Sequence, residues 1–351
     1  MSVHIVLPND IDDPDAPSGG NIYDRKIIQG LSAMGWSVHE HAVPGSWPRP
    51  NGAERTNLAD VLSALPDGTV VLLDGLVASA VPEVLVPQAR RLLLVILVHM
   101  SLADESADLE LRERQALSAA SAIVTTSSWS RQRLLDVYAL PAERVFTAPP
   151  GVDAAPLAIG SADGSRLLCV SAVAPHKGHD LLVRARATIS DRSWTCVCVG
   201  TLRRDPGFVD TLHQQIRDHG IADRISFVGA VTGRGLDAQY AAADLLVLPT
   251  RGETYGMVVT EALARGIPVL ATKINGVPEA LGHAPDGSRP GVLIPPEDPA
   301  ALADALRSWL DTPALRDQLR RSARERRTTL TGWADTSALI ARVLSDVRVT
   351  R

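Results

Sequence analysis

Short apolar runs alternate with helix-length amphipathic segments along the chain. That order belongs to βα units and parallel sheets. In the first half the pattern predicts strands at Val3–Leu7, Ser37–His41, Val70–Asp74, Leu92–Val98 and Ala122–Thr125. Helices are predicted over Asn21–Met34, Arg55–Ala64, Ala107–Ala120 and Ser128–Val137. The second half predicts strands at Arg166–Ser171, Thr195–Val199, Ile225–Val228, Leu245–Leu248, Val269–Ala271 and Val292–Ile294. Its helices fall at Asp180–Ile189, Gly207–His219, Gly235–Ala242 and Met257–Ala264, then Ala300–Leu310, Ala314–Thr328 and Trp333–Val347. Pro149 to Ser165 is small and turn-rich and reads as a linker. The expectation is an α/β protein of two doubly wound, Rossmann-like domains, residues 1–155 and 156–332, facing across a cleft. Ligands of open α/β sheets bind at the carboxyl ends of the strands.

Composition narrows the classes. A chain of 351 residues with 45% hydrophobic and 21% charged positions is an ordinary globular protein with room for two cores. Its longest uncharged apolar stretch, Leu92–Met100, is far short of a membrane span. The N-terminus has no basic region ahead of its first strand, so no secretory signal is read and a cytoplasmic location is expected. Cys196 and Cys198 sit two apart in the run WTCVCVG and read as neighbours on one buried strand face. Residues 1–155 carry 11 Lys and Arg against 19 Asp and Glu, and the rest carry 24 against 21. An acidic first half opposes nucleic acid and anionic lipid, while the weakly basic second half suits a small anion. Only Lys26, Lys177 and Lys273 are lysines, a habit of GC-rich bacterial genomes.

The segment from Pro249 to Leu270, PTRGETYGMVVTEALARGIPVL, carries the clearest chemistry. It leaves a strand, crosses a polar loop holding Glu253, and enters a helix near Gly256 with Glu261 in its second turn. The first-turn amides of Met257 and Val258 have no helical acceptor and face outward at the positive end of the dipole, which makes an anion site. Flanking carboxylates suit a phosphate-bearing, hydroxyl-rich ligand. Taken by themselves, two glutamates eight apart equally fit a plain strand–loop–helix with both side chains in solvent. Gly19 and Gly20 follow the first strand, where missing side chains let amides approach a phosphate. No GxGxxG fingerprint accompanies them, which argues against a nicotinamide dehydrogenase. Lys177 follows a strand at a helix start, an unfavourable place for a cation unless it meets an anion. His99 ends the apolar strand LLLVILVH and should emerge at the carboxyl edge of the first sheet. No His/Asp cluster has convincing metal spacing.

This set of motifs resembles the retaining GT-B glycosyltransferases of glycosyltransferase family 4, with their E-x7-E signature. The resemblance covers nearly the whole chain: Pro17-Ser-Gly-Gly20, Thr125–Arg131, Pro149-Pro-Gly-Val-Asp153, Val170–Gly178, Phe227–Ala230 and Pro249–Leu270. It implies that Glu261 holds donor ribose hydroxyls and Glu253 those of the transferred sugar. Met257 and Val258 would give their amides to the diphosphate, His99 would bind a sugar hydroxyl, and the final helix would return to the first domain. Many members carry an arginine five residues before the lysine, where this chain has Ala172. Arg203, Arg204 and His176 are the candidates for that second charge.

The expected function is transfer of a sugar from a UDP- or GDP-type donor to an acceptor hydroxyl. Catalysis would come from positioning and from charge stabilisation by Lys177, with neither a cofactor nor a metal required. Site residues are Glu253, Lys177 and His99 for catalysis, and Gly19, Gly20, Lys177, Glu253, Gly256, Met257, Val258 and Glu261 for the donor. The net acidic first domain favours a soluble small-molecule acceptor, with no nucleic acid and no stable membrane insertion. Rival readings are a lipid-linked acceptor, an epimerase or phosphorylase on the same fold, and a non-catalytic sugar-nucleotide-binding module.

Overall fold

A computed structural model describes residues 1–15, 17–103 and 105–349. The chain forms two compact units. The first gathers Met1–Asp12, Gly19–Gly151 and the chain from Gly332, and the second gathers Val152–Thr331 with Asp13–Ser18.

The first unit runs β1 (Ser2–Pro8), α1 (Gly19–Ala33), β2 (Ser37–Val43), α2 (Gly52–Ser63), β3 (Val70–Asp74), α3 (Gly75–Ala78), α4 (Pro82–Gln88), β4 (Leu93–Val98), α5 (Ala107–Ala119), β5 (Ala122–Thr125), α6 (Ser128–Tyr138) and β6 (Val145–Thr147). Its six strands are parallel in the order β2-β1-β3-β4-β5-β6. Every residue of β3, β4 and β5 is buried, as expected of central parallel strands covered on both faces. Two differences from the predicted elements have local causes. Helix α1 starts at Gly19 instead of Asn21, since the low helix propensity of a Gly-Gly pair hides the start in the sequence. Residues 75–88, predicted to hold no element, form α3 and α4, whose apolar stretch with Pro82 and Pro87 hides any helical period.

The second unit runs β7 (Arg166–Val170), α7 (His179–Ala187), β8 (Thr195–Val199), α8 (Pro206–Asp218), β9 (Ile225–Phe227), α9 (Gly233–Ala242), β10 (Leu245–Leu248), α10 (Met257–Ala264), β11 (Val269–Thr272), α11 (Val277–Leu281), β12 (Gly291–Ile294), α12 (Pro299–Asp311) and α13 (Pro313–Arg327). Its parallel order is β12-β11-β10-β7-β8-β9. Strand order therefore reverses between β7 and β10, which is where an open α/β sheet leaves a crevice for a ligand. The segment read as a linker is held in place from Val152 onward. The buried Asp244 carboxylate accepts from Ser161 N at 2.8 Å, Ser161 Oγ at 2.5 Å, Arg166 N at 3.0 Å and Arg320 Nη2 at 2.8 Å. Turn-rich composition registered the missing secondary structure but not these tertiary bonds.

A last helix, α14 (Trp333–Val349), belongs to the first unit. Ile340, Ala341, Val343 and Leu344 enter the core formed by Val3, Ile5, Tyr23 and Ile27. Contact with α1 is tight: a Cβ on Gly30 would lie 2.0 Å from Ser337 Oγ. Among the described residues no helix is long and apolar enough to cross a membrane.

Candidate functional site

The loops after β7 and β10 flank the strand-order reversal of the second unit, and backbone demands join them. Gly178 has φ +72°, and a Cβ on it would fall 1.9 Å from the Pro249 carbonyl oxygen. Arg251 N and Thr250 Oγ1 donate to the His176 carbonyl at 2.8 and 3.2 Å. The Arg251 guanidinium grips both oxygens of Asp180 at 2.7 Å, donates to the Pro175 carbonyl at 2.5 Å and reaches Glu297. This bidentate clamp is the stronger kind of charge-assisted contact. Its product is a short ion pair: Lys177 Nζ donates to Glu253 Oε2 at 2.6 Å, with both side chains about one-fifth exposed (18% and 19%).

Glu253 is fixed from behind as well. Gly276 N donates to the Glu253 carbonyl at 3.1 Å, and a side chain on Gly276 would strike the Thr254 carbonyl. Beyond the loop, Gly256 takes φ +96° and opens α10. The amides of Met257 and Val258 are then first-turn donors with no carbonyl four residues back, at the helix's positive end. Glu261 is half-buried and not free. Tyr240 Oη donates to its Oε2 at 2.7 Å, while Arg265 lies over the Tyr240 ring at 4.5 Å. Burial raises the Glu261 carboxyl above its ordinary range, with Tyr240 and Arg265 pulling the other way. Tyr240, on α9, carried no local signal in the sequence.

The candidates for a second cation differ. Burial, then the Lys177 charge, lowers the His176 pKa, so that ring is neutral near pH 7. Arg203 is largely exposed and pairs with Asp15 at 2.8 Å. Arg204 is close enough for its charge to act on His176.

Gly19, Gly20 and His99 belong to the first unit. Gly20 lies flush against the imidazole, since a Cβ there would come 3.2 Å from His99 Cδ2. His99 Nε2 donates to Asp24 Oδ1 at 2.8 Å, lies 3.8 Å from Asp74 Oδ2, and the ring meets Tyr23 edge-on at 5.2 Å. Asp24 and Asp74 were not singled out in the sequence, because nothing local ties α1 and the end of β3 to the end of β4. Burial opposes charge on His99, but Asp24 and Asp74 outweigh it and raise the pKa to about 9. Burial, reinforced by the Asp24 charge, raises Asp74 from 3.8 to about 7. Both folded-state values lie above the unfolded ones, so both contributions weaken as pH rises. Asp74 loses its share between pH 3.8 and about 7. His99 contributes fully below pH 6.5 and loses its share as pH passes about 9. The expected result is that His99→Gln lowers Tm most below pH 6.5 and that its gap to wild type closes above pH 9. A gap independent of pH would show that the ring is not held as a cation.

Residues 160–326 match the family model described as glycosyl transferases group 1. The D-inositol 3-phosphate glycosyltransferase of Kineococcus radiotolerans is 31% identical over 67% of this chain and 59% of its own length. D-inositol 3-phosphate glycosyltransferase 2 of Catenulispora acidiphila is 32% identical over 66% and 58%. The chain thus spans somewhat under three fifths of these relatives. Among solved structures, sucrose-phosphate synthase from Thermosynechococcus elongatus superposes with a TM-score of 0.81 over 100% of both chains at 21% identity. Anabaena HepE, solved in complex with UDP-glucose, gives 0.78 over 99% of this chain and 100% of its own at 19% identity. Residues 160–326 therefore form a glycosyl transferases group 1 domain, in a chain with the GT-B glycosyltransferase fold.

Proposed function

We propose that the chain is a retaining glycosyltransferase that moves a sugar from a nucleotide-diphosphate donor, of the UDP or GDP type, to an acceptor hydroxyl. The observation that carries this reading is the Lys177–Glu253 pair beside the unpartnered first turn of α10. A cation and two backbone donors can meet a diphosphate, and a carboxylate next to them can order sugar hydroxyls. With no donor bound, each charge of the pair neutralises the other. With the donor in place, Lys177 and the Met257 and Val258 amides stabilise the charge that grows on the leaving diphosphate. Arg204, whose charge reaches His176, is assigned the missing arginine charge. Gly256 lets the chain turn into the helix without covering these groups. In this reading the diphosphate needs no divalent metal. The departing phosphate takes the acceptor proton, so no protein nucleophile is assigned. His99 and the Gly19–Gly20 helix start are assigned to substrate contact from the first unit. HepE's UDP-glucose complex supports a nucleotide-sugar donor. The relatives' name, inositol 3-phosphate, supports a small soluble acceptor.

The deciding experiment is a panel of nucleotide sugars, read first by thermal shift and then by release of free UDP or GDP with candidate acceptors. A ligand at a hundred times its Kd stabilises by about 2.7 kcal/mol. No stabilisation by any member would overturn the proposal. The two glutamates should separate. Glu261→Ala is expected to weaken free nucleotide binding by about 1.5–3 kcal/mol, the range for a hydrogen bond to a charged group. Glu253→Gln should leave that affinity nearly intact and lower turnover. Calorimetry finding equal losses in both variants would reverse or cancel the assignments.

A further inference from the structure

The core of the second unit contains a cluster that sugar transfer does not use. Cys169 on β7 is in register with Cys198 on β8, directly across the parallel pair. Cys196 precedes Cys198 by two residues and so shares its face of the sheet. His179, the first residue of α7, packs onto this face with its Nε2 3.8 Å from Cys169 Sγ. Ligand atoms of Cys169, His179 and Cys198 all lie within 4.8 Å of one another, and all three residues are fully buried. The other ring nitrogen of His179 has no partner.

Beside the cluster is an unmatched charge. Arg186, two turns along α7, is fully buried and stacks its guanidinium 3.8 Å over the Trp194 ring. None of its three side-chain nitrogens has a hydrogen-bond partner. The groups exposed to its charge are the thiols of Cys196, Cys198 and Cys169. A buried cation among neutral groups costs several kcal/mol, so a compensating negative charge is called for.

We propose that Cys169, Cys198 and His179, joined by Cys196 whose thiol must turn in from outside that 4.8 Å group, form a buried structural site for a thiophilic d10 cation, zinc in the cell. Three cysteines and one histidine are an established donor set for structural zinc. With Zn–S near 2.3 Å and Zn–N near 2.0–2.1 Å, a tetrahedral site separates sulfur from nitrogen by about 3.6 Å. The 3.8 Å between Cys169 and His179 is close to that spacing. Charge closes as well. Three thiols lose their protons to solvent, the three thiolates and one divalent cation leave a single negative charge, and Arg186 balances it. A site with no route to solvent is filled while the chain folds, so the metal contributes to stability and not to turnover.

The test uses the full chain purified from zinc-supplemented cells. Elemental analysis should find stoichiometric zinc that survives dialysis against EDTA. X-ray absorption at the zinc edge should show a sulfur-dominated shell with one imidazole nitrogen. Refolding with Co2+ in place of zinc should give the intense visible bands of a tetrahedral thiolate site, and Cys198→Ser should lose both zinc and those bands. If that variant fails to fold, the zinc-edge spectrum of the wild type decides alone. Three results would overturn the proposal: no metal either as isolated or after refolding with Zn2+ or Co2+, a shell of only nitrogen and oxygen, or zinc retained unchanged in a folded Cys198→Ser variant.

Discussion

Lys177→Ala should lower turnover by about 10²–10³-fold, the usual effect of removing one electrostatic stabiliser from a reacting centre. The ammonium is one of the chain's three lysines and is held 2.6 Å from Glu253 by a loop that Arg251 clamps. Its removal takes away the point charge proposed to meet the diphosphate and also the partner that orients Glu253. The first loss acts on the chemical step and also on free UDP or GDP, which carry the same diphosphate; the second acts on the chemical step. The expected signature is a large fall in kcat together with weaker UDP or GDP binding. Lys177→Arg should recover only part, because a planar fork does not reproduce a compact ammonium. If the alanine variant turns over within a few-fold of wild type, the leaving-group role belongs elsewhere.

Gly178→Ala should act one residue away by a different route. The position combines φ +72° with a Cβ site 1.9 Å from the Pro249 carbonyl oxygen, and both atoms involved are close to the backbone, so no rotamer relieves the contact. Left-handed strain costs an alanine about 1–2 kcal/mol. Separating the loops after β7 and β10 adds to this, for a total of about 3–5 kcal/mol in unfolding free energy. Gly220 is the matched control. It has φ +64° and open space around its Cβ site, so Gly220→Ala carries the strain alone. Urea midpoints should therefore fall much further for the first variant than for the second. Equal shifts would mean that the loops part at little cost and that Lys177 is not locked onto Glu253.

Legibility in the sequence followed the range of the interaction. The strand Leu245–Leu248 and the helix Met257–Ala264 were bounded correctly from a local apolar run and a local period. The three-residue strand β6 and the five-residue helix α11 were missed, because neither is long enough to show a period. Lys177 and Glu253 each stood out by following a strand's end, yet their pairing across 76 residues could not be read along the chain. Tyr240 beneath Glu261, Asp180 in the grip of Arg251, and Asp24 against His99 share that property. Each is an ordinary helix residue until a neighbouring element arrives beside it. Cys169 and His179 joined the Cys196–Cys198 face for the same reason: β7 pairs with β8, and α7 covers both.

The placement of α14 has a consequence for synthesis on the ribosome. Chains grow from the N-terminus at about 5–20 residues per second, and units fold as their residues emerge. The second unit has all its residues once Thr331 has left the exit tunnel. The first unit, begun earlier, still lacks Ile340 and Leu344, which complete the core against Tyr23 and Ile27. Its apolar strip along α1 stays open until α14 emerges, and that strip is what a nascent-chain chaperone would find. A nascent chain exposed only as far as Thr331 would display a finished later half and an unfinished earlier one.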